Sequence, residues 1–291
     1  MLKLKTITAT LLVSISMSGF AQTSEEGKNW TVKGENTFLI NQSSFSNWAA
    51  GGVNSFAGNL VLNYDFNYAK DKWSWDNKVI MAYGKTFQDA IKWRKNDDRL
   101  ILNSLLGYKA AEKWLYTFYT NFNTQFADGF SYDSDNNATL ISRAFSPAYL
   151  SFGPGFAFKE SDNFRVNISP AAARLVIVGD ENLRTAYGVD IDKAVRTEFG
   201  ASLDTYYKVD LMENISFENI LKLYSNYLEE PKNVDVDYTA NIFMKVNEYI
   251  SVNTGVQLLY DDNVQIQKSD GRVGPGLQVR QVFGAGFTYK F

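Results

Sequence analysis

Apolar and polar residues alternate with a period of two through most of this sequence. Between positions 56 and 68 the bulky apolar side chains occupy the even positions, and mostly polar residues occupy the odd ones. The stretch that ends at Phe291 repeats the pattern with aromatic residues. Because successive side chains of a β-strand point to opposite faces, each stretch predicts a strand with one apolar and one polar face. Phe, Tyr and Trp make up 15% of the chain, which also favours strands over helices.

Twelve segments show this alternation, and short and long connections alternate between them. The segments lie near 34–41, 53–68, 73–86, 97–109, 114–127, 147–159, 164–178, 194–207, 214–228, 235–246, 250–260 and 277–291. The short connections lie near 69–72, 110–113, 160–163, 210–213 and 247–249, and the longer ones near 42–52, 87–96, 128–146, 179–193, 229–234 and 261–276. The seventh segment breaks its register between Pro170 and Leu175, which predicts a β-bulge. The series predicts an all-β fold, a single antiparallel up-and-down β-barrel of about twelve strands.

The first 21 residues have the composition of an export signal. Two lysines precede an apolar run from Ile7 to Phe20, and Ala21 offers a cleavage position, so residues 1–21 are predicted to be a signal peptide. The alternative is an N-terminal membrane anchor, which this run is too short to form because a spanning helix needs ~20 residues. Residues 22–33 are then a short N-terminal segment, and 34–291 form the barrel.

The composition excludes several kinds of chemistry. The chain has no cysteine and no histidine, so it has no disulfides, no thiolate nucleophile, no imidazole catalysis and no metal site built on these residues. We expect no cofactor and no metal. The formal net charge of −3 argues against a nucleic-acid partner, which would require a basic surface.

Alternation alone does not say which face of the barrel is outside. A soluble barrel would bury the apolar face, whereas an outer-membrane barrel would turn it toward lipid. The even strand number, the strand lengths and the unequal connections favour the membrane, and so do aromatic residues at the segment ends. Those near the short turns are Tyr68, Trp73, Trp75, Trp114, Tyr207 and Tyr249, and those near the loops are Tyr83, Phe87, Phe126, Tyr149, Tyr227 and Tyr260. We therefore predict a location in the outer membrane of a Gram-negative bacterium, in contact with its lipid.

The end of the chain resembles the insertion signal of outer-membrane barrels. Phe287, Tyr289 and Phe291 occupy alternate positions of the last segment, and the final residue is aromatic. The resemblance implies that the barrel-assembly machinery recognises the C-terminal strand.

Several short motifs resemble a family of exported Bacteroidota proteins, domain-of-unknown-function family 3078. The most specific is the block Ser46–Ser55, and weaker ones lie at 75–77, 96–99, 124–126 and 146–150, with Ser142. The resemblance covers most of the chain beyond the signal peptide. It implies an uncharacterised outer-membrane barrel and supplies no mechanism.

In a membrane barrel the polar face lines the lumen. The predicted charged lining residues are Asp65, Asp76, Lys78, Arg99, Lys109, Arg165, Arg196, Glu198, Asp204, Glu218, Lys222, Asp237, Lys245 and Arg280. Neither sign dominates, so the charges either pair across a narrow interior or set up a transverse field in a small aqueous channel. We predict a non-enzymatic barrel with a narrow pore for small polar solutes. The alternative is a closed barrel whose external loops bind a partner protein or a glycan.

The first long loop is a further candidate functional feature. The first long loop carries Asn47, Trp48, Gly51, Gly52 and Asn54, which form either a plug at the barrel mouth or a turn packed by its own tryptophan.

A lumen enzyme without histidine is the least favoured alternative, and it would use carboxylates such as Glu198 and Asp204. The loop at 133–137 has oxygen ligands at alternate positions, as calcium loops do, but it lacks a closing glutamate and is interpreted as a solvated loop.

Overall fold

The computed structural model describes residues 29–44, 53–88, 91–268 and 272–291. The predicted signal peptide, 1–21, lies outside the described residues, as do Asn47, Trp48, Gly51 and Gly52 of the predicted loop plug. These assignments therefore stay predictions.

The described residues form sixteen strands. Their bounds are β1 Trp30–Ser43, β2 Ser55–Lys70, β3 Trp73–Gln88, β4 Lys92–Lys109, β5 Trp114–Thr124, β6 Gly129–Tyr132, β7 Ala138–Ser142, β8 Ala148–Ser161, β9 Phe164–Ile177, β10 Val195–Met212, β11 Ile215–Asn226, β12 Asp235–Lys245, β13 Ile250–Tyr260, β14 Ile266–Gln267, β15 Val273–Gly274 and β16 Gln278–Lys290. Two 3₁₀ turns, Glu181–Leu183 and Thr185–Tyr187, lie between β9 and β10.

Twelve of these strands close into one antiparallel barrel in the order β1-β16-β13-β12-β11-β10-β9-β8-β5-β4-β3-β2. Each of the twelve predicted segments corresponds to one barrel strand, so the all-β barrel is confirmed. The other four strands form two small hairpins, β6–β7 and β14–β15, inside the loops that precede β8 and β16.

The predicted strict alternation of short and long connections is wrong at one place. The connection between β3 and β4, predicted at 87–96, contains only residues 89–91, because the two strands stay paired as far as Gln88 and Lys92. A bulge between Gly84 and Lys85 re-aligns the pairing and lets this hairpin extend past its neighbours. At the other end of the chain, β1 begins at Trp30, four residues before the predicted start of the barrel at 34.

The predicted bulge in the seventh segment is confirmed. Along β9 the register shifts between Ser169, paired with Ser202, and Ala172, paired with Gly200. Pro170 lies in the bulge, where its missing N–H removes no ladder hydrogen bond. Because the strand gains one residue there, side chains at even positions face outward before the bulge and inward after it.

The outer surface of the barrel is apolar. Large hydrophobic side chains on alternate positions are exposed on nearly every strand, among them Leu60, Phe118, Phe156, Phe283 and Phe287. Near the short turns Trp73, Trp75, Trp114, Tyr207 and Tyr249 are exposed, as predicted for an interfacial girdle. An apolar belt of this size on a closed sheet requires lipid around it, so the chain is an outer-membrane β-barrel. One girdle assignment is wrong: Tyr149 packs on the inside of the barrel.

Across the described ranges, no helix has the length and the apolar composition needed to cross a membrane.

The barrel closes where β1 meets β16. Their pairing runs from Glu35 with Lys290 to Ile40 with Ala285. Beyond it, Phe291 and Gly34 exchange two backbone hydrogen bonds of 2.9 and 3.0 Å. The Phe291 ring lies directly on Gly34, where a Cβ would come within 2.2 Å of the ring, so a larger residue at position 34 would displace the ring.

Candidate functional site in the barrel lumen

The two sides of the lumen differ in how tightly they are filled. We call the inward faces of β5, β8, β9 and β10 the packed wall, because most of their side chains are buried, including Tyr119, Ser169 and Ala172. We call the inward faces of β12, β13 and β2 the open wall. In the barrel order β16 and β1 lie between β13 and β2. Every inward side chain of the open wall keeps partial exposure, as Asn63 and Asn253 do. The inward side chains are therefore less enclosed along the open wall than along the packed wall.

A buried ion network stabilises the packed wall. Glu198, on β10, is 1% exposed, and its Oε2 accepts a hydrogen bond of 2.5 Å from Nε of Arg174. Its Oε1 lies 2.9 Å from Nη2 of Arg196. Arg174 also contacts the Asp235 carboxylate and lies over the Tyr224 ring, 4.2 Å from its centroid. Buried charges persist only when they are paired, so these residues act as one structural unit.

Arg174 was not among the predicted lining residues. By simple alternation from Phe164, position 174 would face lipid, and only the bulge at 169–172 turns it inward. The predicted bulge was therefore the signal that could have located this arginine.

Side chains also cross the lumen from one wall to another. Nζ of Lys222 on β11 donates to Oδ1 of Asn103 on β4 at 3.3 Å, although the two strands are five places apart in the barrel order. Arg165 on β9 reaches Asp76 on β3 with a hydrogen bond of 3.3 Å. These contacts span the lumen between strands that are not neighbours in the sheet.

Most of the other predicted charges are paired. Asp65 and Lys78 face each other on β2 and β3 at 3.0 Å, and Lys159 lies 3.6 Å from Asp76. Glu218 accepts hydrogen bonds of 3.2 Å from Tyr206 and from Asn241. Asp237 accepts one of 3.0 Å from Gln257. Lys109 and Lys245 end β4 and β12 at the short-turn rim.

Asp97 sits between two arginines at the loop side of the lumen. It is almost fully buried and receives Arg99 through Nε at 3.1 Å and Nη2 at 3.2 Å. Nη2 of Arg280, on β16, reaches the same carboxylate at 2.7 Å. Sequence reasoning found the two arginines and missed this acid, because it took position 97 to be the end of a strand that in fact begins at Lys92.

Several buried polar atoms on the inward faces of β5, β10 and β11 lack a hydrogen bond of normal geometry among the described residues. They are the hydroxyls of Tyr119, Ser202 and Tyr224 and one oxygen of Asp204. Asp204 is paired in register with Lys222. Unsatisfied groups of this kind are normally hydrogen-bonded to water or to a solute.

A loop lies against the loop-side end of the packed wall. We call residues 178–194 the plug loop. Its Val178, Leu183 and Val189 are buried against Val176 of β9. The loop is tied on both sides: Tyr187 Oη donates to the Ile141 carbonyl at 2.8 Å, and the Gln265 N–H donates to the Ala186 carbonyl at 3.0 Å.

Burial raises the pKa of Tyr187 to about 12, because the tyrosinate would lose its solvation. Of the predicted plug residues, Asn54 alone is described, directly before β2. The only signal for the plug loop in the sequence was its apolar residues within a polar connection.

The carboxylates considered for catalysis do not meet. Glu198 and Asp204 both face the lumen from β10, but six residues of strand separate them by about 20 Å. Both oxygens of Glu198 face arginines, so this residue has no free base function. In the loop at 133–137, Asp133 accepts hydrogen bonds from the N–H groups of Asp135 and Asn137 and from the Asn137 amide. These bonds lower the pKa of Asp133 and close the β6–β7 turn.

Residues 40–130 match the model of a family described as "Protein of unknown function (DUF3078)". The match confirms the resemblance over this range, which contains the motifs at 46–55, 75–77, 96–99 and 124–126, while Ser142 and 146–150 lie outside it. No curated protein matches the chain.

Among solved structures, the COG4313 outer membrane channel from Pseudomonas putida F1 is 9% identical, covers 92% of this chain and 99% of its own, and has a TM-score of 0.40. The NanC porin is 9% identical, with coverage of 88% and 99% and a TM-score of 0.39. The β domain of the Bordetella autotransporter BrkA is 11% identical, with coverage of 90% and 99% and a TM-score of 0.32. At these levels the likenesses carry no conclusion about the role of this chain.

Proposed function

We propose, from the arrangement of its lumen, that the chain is a narrow, non-enzymatic outer-membrane channel for small polar solutes. The observation that carries the proposal is the difference between the two walls. A scaffold barrel has no need of unfilled space, yet the open wall keeps asparagine, glutamine and threonine side chains partly exposed inside a closed sheet. Such groups replace the hydration of a polar solute without binding it tightly.

The contacts across the lumen set the expected size of the path. Twelve strands lie between the barrels that side chains fill and the open porins of about 16–18 strands. Lys222 and Asn103 bridge nearly opposite walls, so the path is confined to the space beside them. The solutes are therefore small, and the conductance is low.

Single-channel recording on the purified protein in planar bilayers tests the proposal. We expect stable small openings in the wild type. Replacing Lys222 with Ala removes the bridge and should raise the unitary conductance. The matched control is Lys113→Ala, in a short turn outside the lumen, which should leave conductance unchanged. A wild type that folds, as judged by heat-modifiable migration on a gel, and yet stays silent would refute a constitutively open channel.

One observation favours the second candidate, a closed barrel whose loops bind a partner protein or a glycan. The plug loop is tied by its buried apolar cluster and by hydrogen bonds to two other loops, so it covers one side of the mouth. A silent wild type that also stays silent when residues 179–193 are replaced by a short glycine-serine linker would support this candidate. Openings that appear only in the linker variant would instead support a channel gated by this loop.

A further inference from the structure

In most ion pairs of the lumen, the acidic side chain is less exposed than the basic side chain. Asp97 has a side chain that is 4% exposed, whereas its partners Arg99 and Arg280 are 30% and 33% exposed. Arg165 and Lys159 are likewise more exposed than Asp76, which they share. The exceptions are Lys78 with Asp65 and Arg174 with Asp235, in which the acid is slightly more exposed. Long basic side chains reach into the lumen and cover the short carboxylates, so a lining with similar numbers of acids and bases presents a mainly cationic surface.

The Arg99–Asp97–Arg280 triad carries more positive than negative charge. Two guanidinium groups, which stay protonated at any working pH, share one carboxylate, so the triad carries a formal charge of +1. Each guanidinium has five N–H donors, and together they use three of these donors on Asp97. The fork geometry of arginine suits the two oxygens of a carboxylate or phosphate group.

The position of the triad places it on the route of a solute. Arg280 belongs to β16 and Asp97 to β4, and β1, β2 and β3 lie between them in the barrel order. The contact therefore passes in front of the inner face of β2, which is part of the open wall. Its neighbours in register are the uncharged Gln257 beside Arg280 and Gly84 beside Asp97, so no further acid faces the arginines from these positions.

We propose that the channel selects anions and that Arg99 and Arg280 form its selecting contact, with small carboxylates and inorganic oxyanions as the solute class. The inference rests on the proposed channel function and adds the sign of the solute. Asp97 acts as a positioning residue: it holds the two guanidinium groups together and offsets one of their charges.

The test is the reversal potential of the full barrel in planar bilayers under a KCl gradient. We expect the wild type to favour chloride. Arg280→Gln and Arg99→Gln should each shift the reversal potential toward that of potassium. Asp97→Asn removes the offsetting charge and should shift it in the opposite direction, which a merely structural role would not do. Lys113→Gln removes a basic charge from an exposed turn and should leave the potential unchanged.

A second measurement probes the solute class. Inorganic phosphate and acetate, added one at a time, should reduce the chloride current of the wild type, and the Arg99→Gln/Arg280→Gln double variant should lose this inhibition. Every variant is first checked for heat-modifiable migration, so that misfolding is recognised. Absence of any openings overturns the channel and this inference with it. Openings without a chloride preference, or equal shifts in Arg280→Gln and Asp97→Asn, overturn this inference alone.

Discussion

The packed wall and the open wall use the same kinds of side chain in different ways. On the packed wall, Glu198 is enclosed by Arg174 and Arg196, and neither oxygen is open to solvent. Asp65 of the open wall makes a contact of similar type with Lys78 of the adjacent β3, but both side chains remain about one-quarter to one-third exposed. The buried group loses far more on breaking its contacts, because an unpaired charge there has no water to solvate it. Burial, rather than residue type, therefore separates a structural ion pair from a lumen-lining one.

The largest expected effect is on the packed wall. Glu198→Ala leaves two arginines facing each other in a dry environment and should lower the free energy of unfolding by about 3–5 kcal/mol. Urea titration of the barrel in lipid, followed by the folded and unfolded bands on a gel, measures it. A loss below about 1 kcal/mol would mean that the network is hydrated and that the two walls do not differ in this way.

The plug loop should show the next largest effect. Leu183→Ala removes a buried side chain and should loosen the loop by about 2–4 kcal/mol. Ile191→Ala, in the same loop but 61% exposed, is the matched control and should change little. Hydrogen exchange at residues 178–194 reports the difference. Equal protection in both variants would contradict the packing of the loop.

A pH effect follows from the pKa of Tyr187. Because its pKa is raised to about 12 from an ordinary value near 10, the protonated ring stabilises the plug loop fully below pH 10. This stability is lost as the pH rises toward 12. Tyrosinate absorbance of the wild type, compared with that of Tyr187→Phe, should show one late-titrating tyrosine. A difference spectrum that titrates near pH 10 would show that the ring is solvated.

The smallest effect is expected on the open wall. Asp65→Asn breaks a partly exposed ion pair and should change the free energy of unfolding by about 0–1 kcal/mol. The same urea titration serves, with Glu198→Ala as the reference. A loss as large as that of Glu198→Ala would mean that the open wall is also packed.

The fold could be predicted from the sequence because alternation reports burial directly. Each strand of an outer-membrane barrel has one face in lipid, so residues such as Phe118 and Phe287 mark their strands without help from distant contacts. The strand bounds were predicted less accurately where a segment is held in a strand by its pairing partner and not by its own alternation. Lys92 to Asn96 read as a polar loop, yet they extend β4 because β3 pairs with them.

The lumen could be predicted only in part. Period-two counting placed Arg99, Arg165 and Arg280 on the polar face, but it could not show which charges meet across the barrel. Asp97 and Arg174 were missed because one was the first residue of its predicted segment and the other follows the bulge. The packing of Leu183 and Val189 on Val176 depends on how a long loop folds back, which no local pattern encodes.

The bulge of β9 makes the length of this strand as constrained as its composition. Deleting a single residue at Pro170 or Ala171 would remove the bulge and leave a regular strand in which Arg174 still faces inward, because one outward position would then separate Ser169 from Ala172. Deleting both residues would place Ala172 directly after Ser169 and turn every later side chain to the opposite face. Arg174 would then point into hydrocarbon, and the leucine beside it would enter the ion network. Length variants of this segment should therefore tolerate the loss of one residue but not of two.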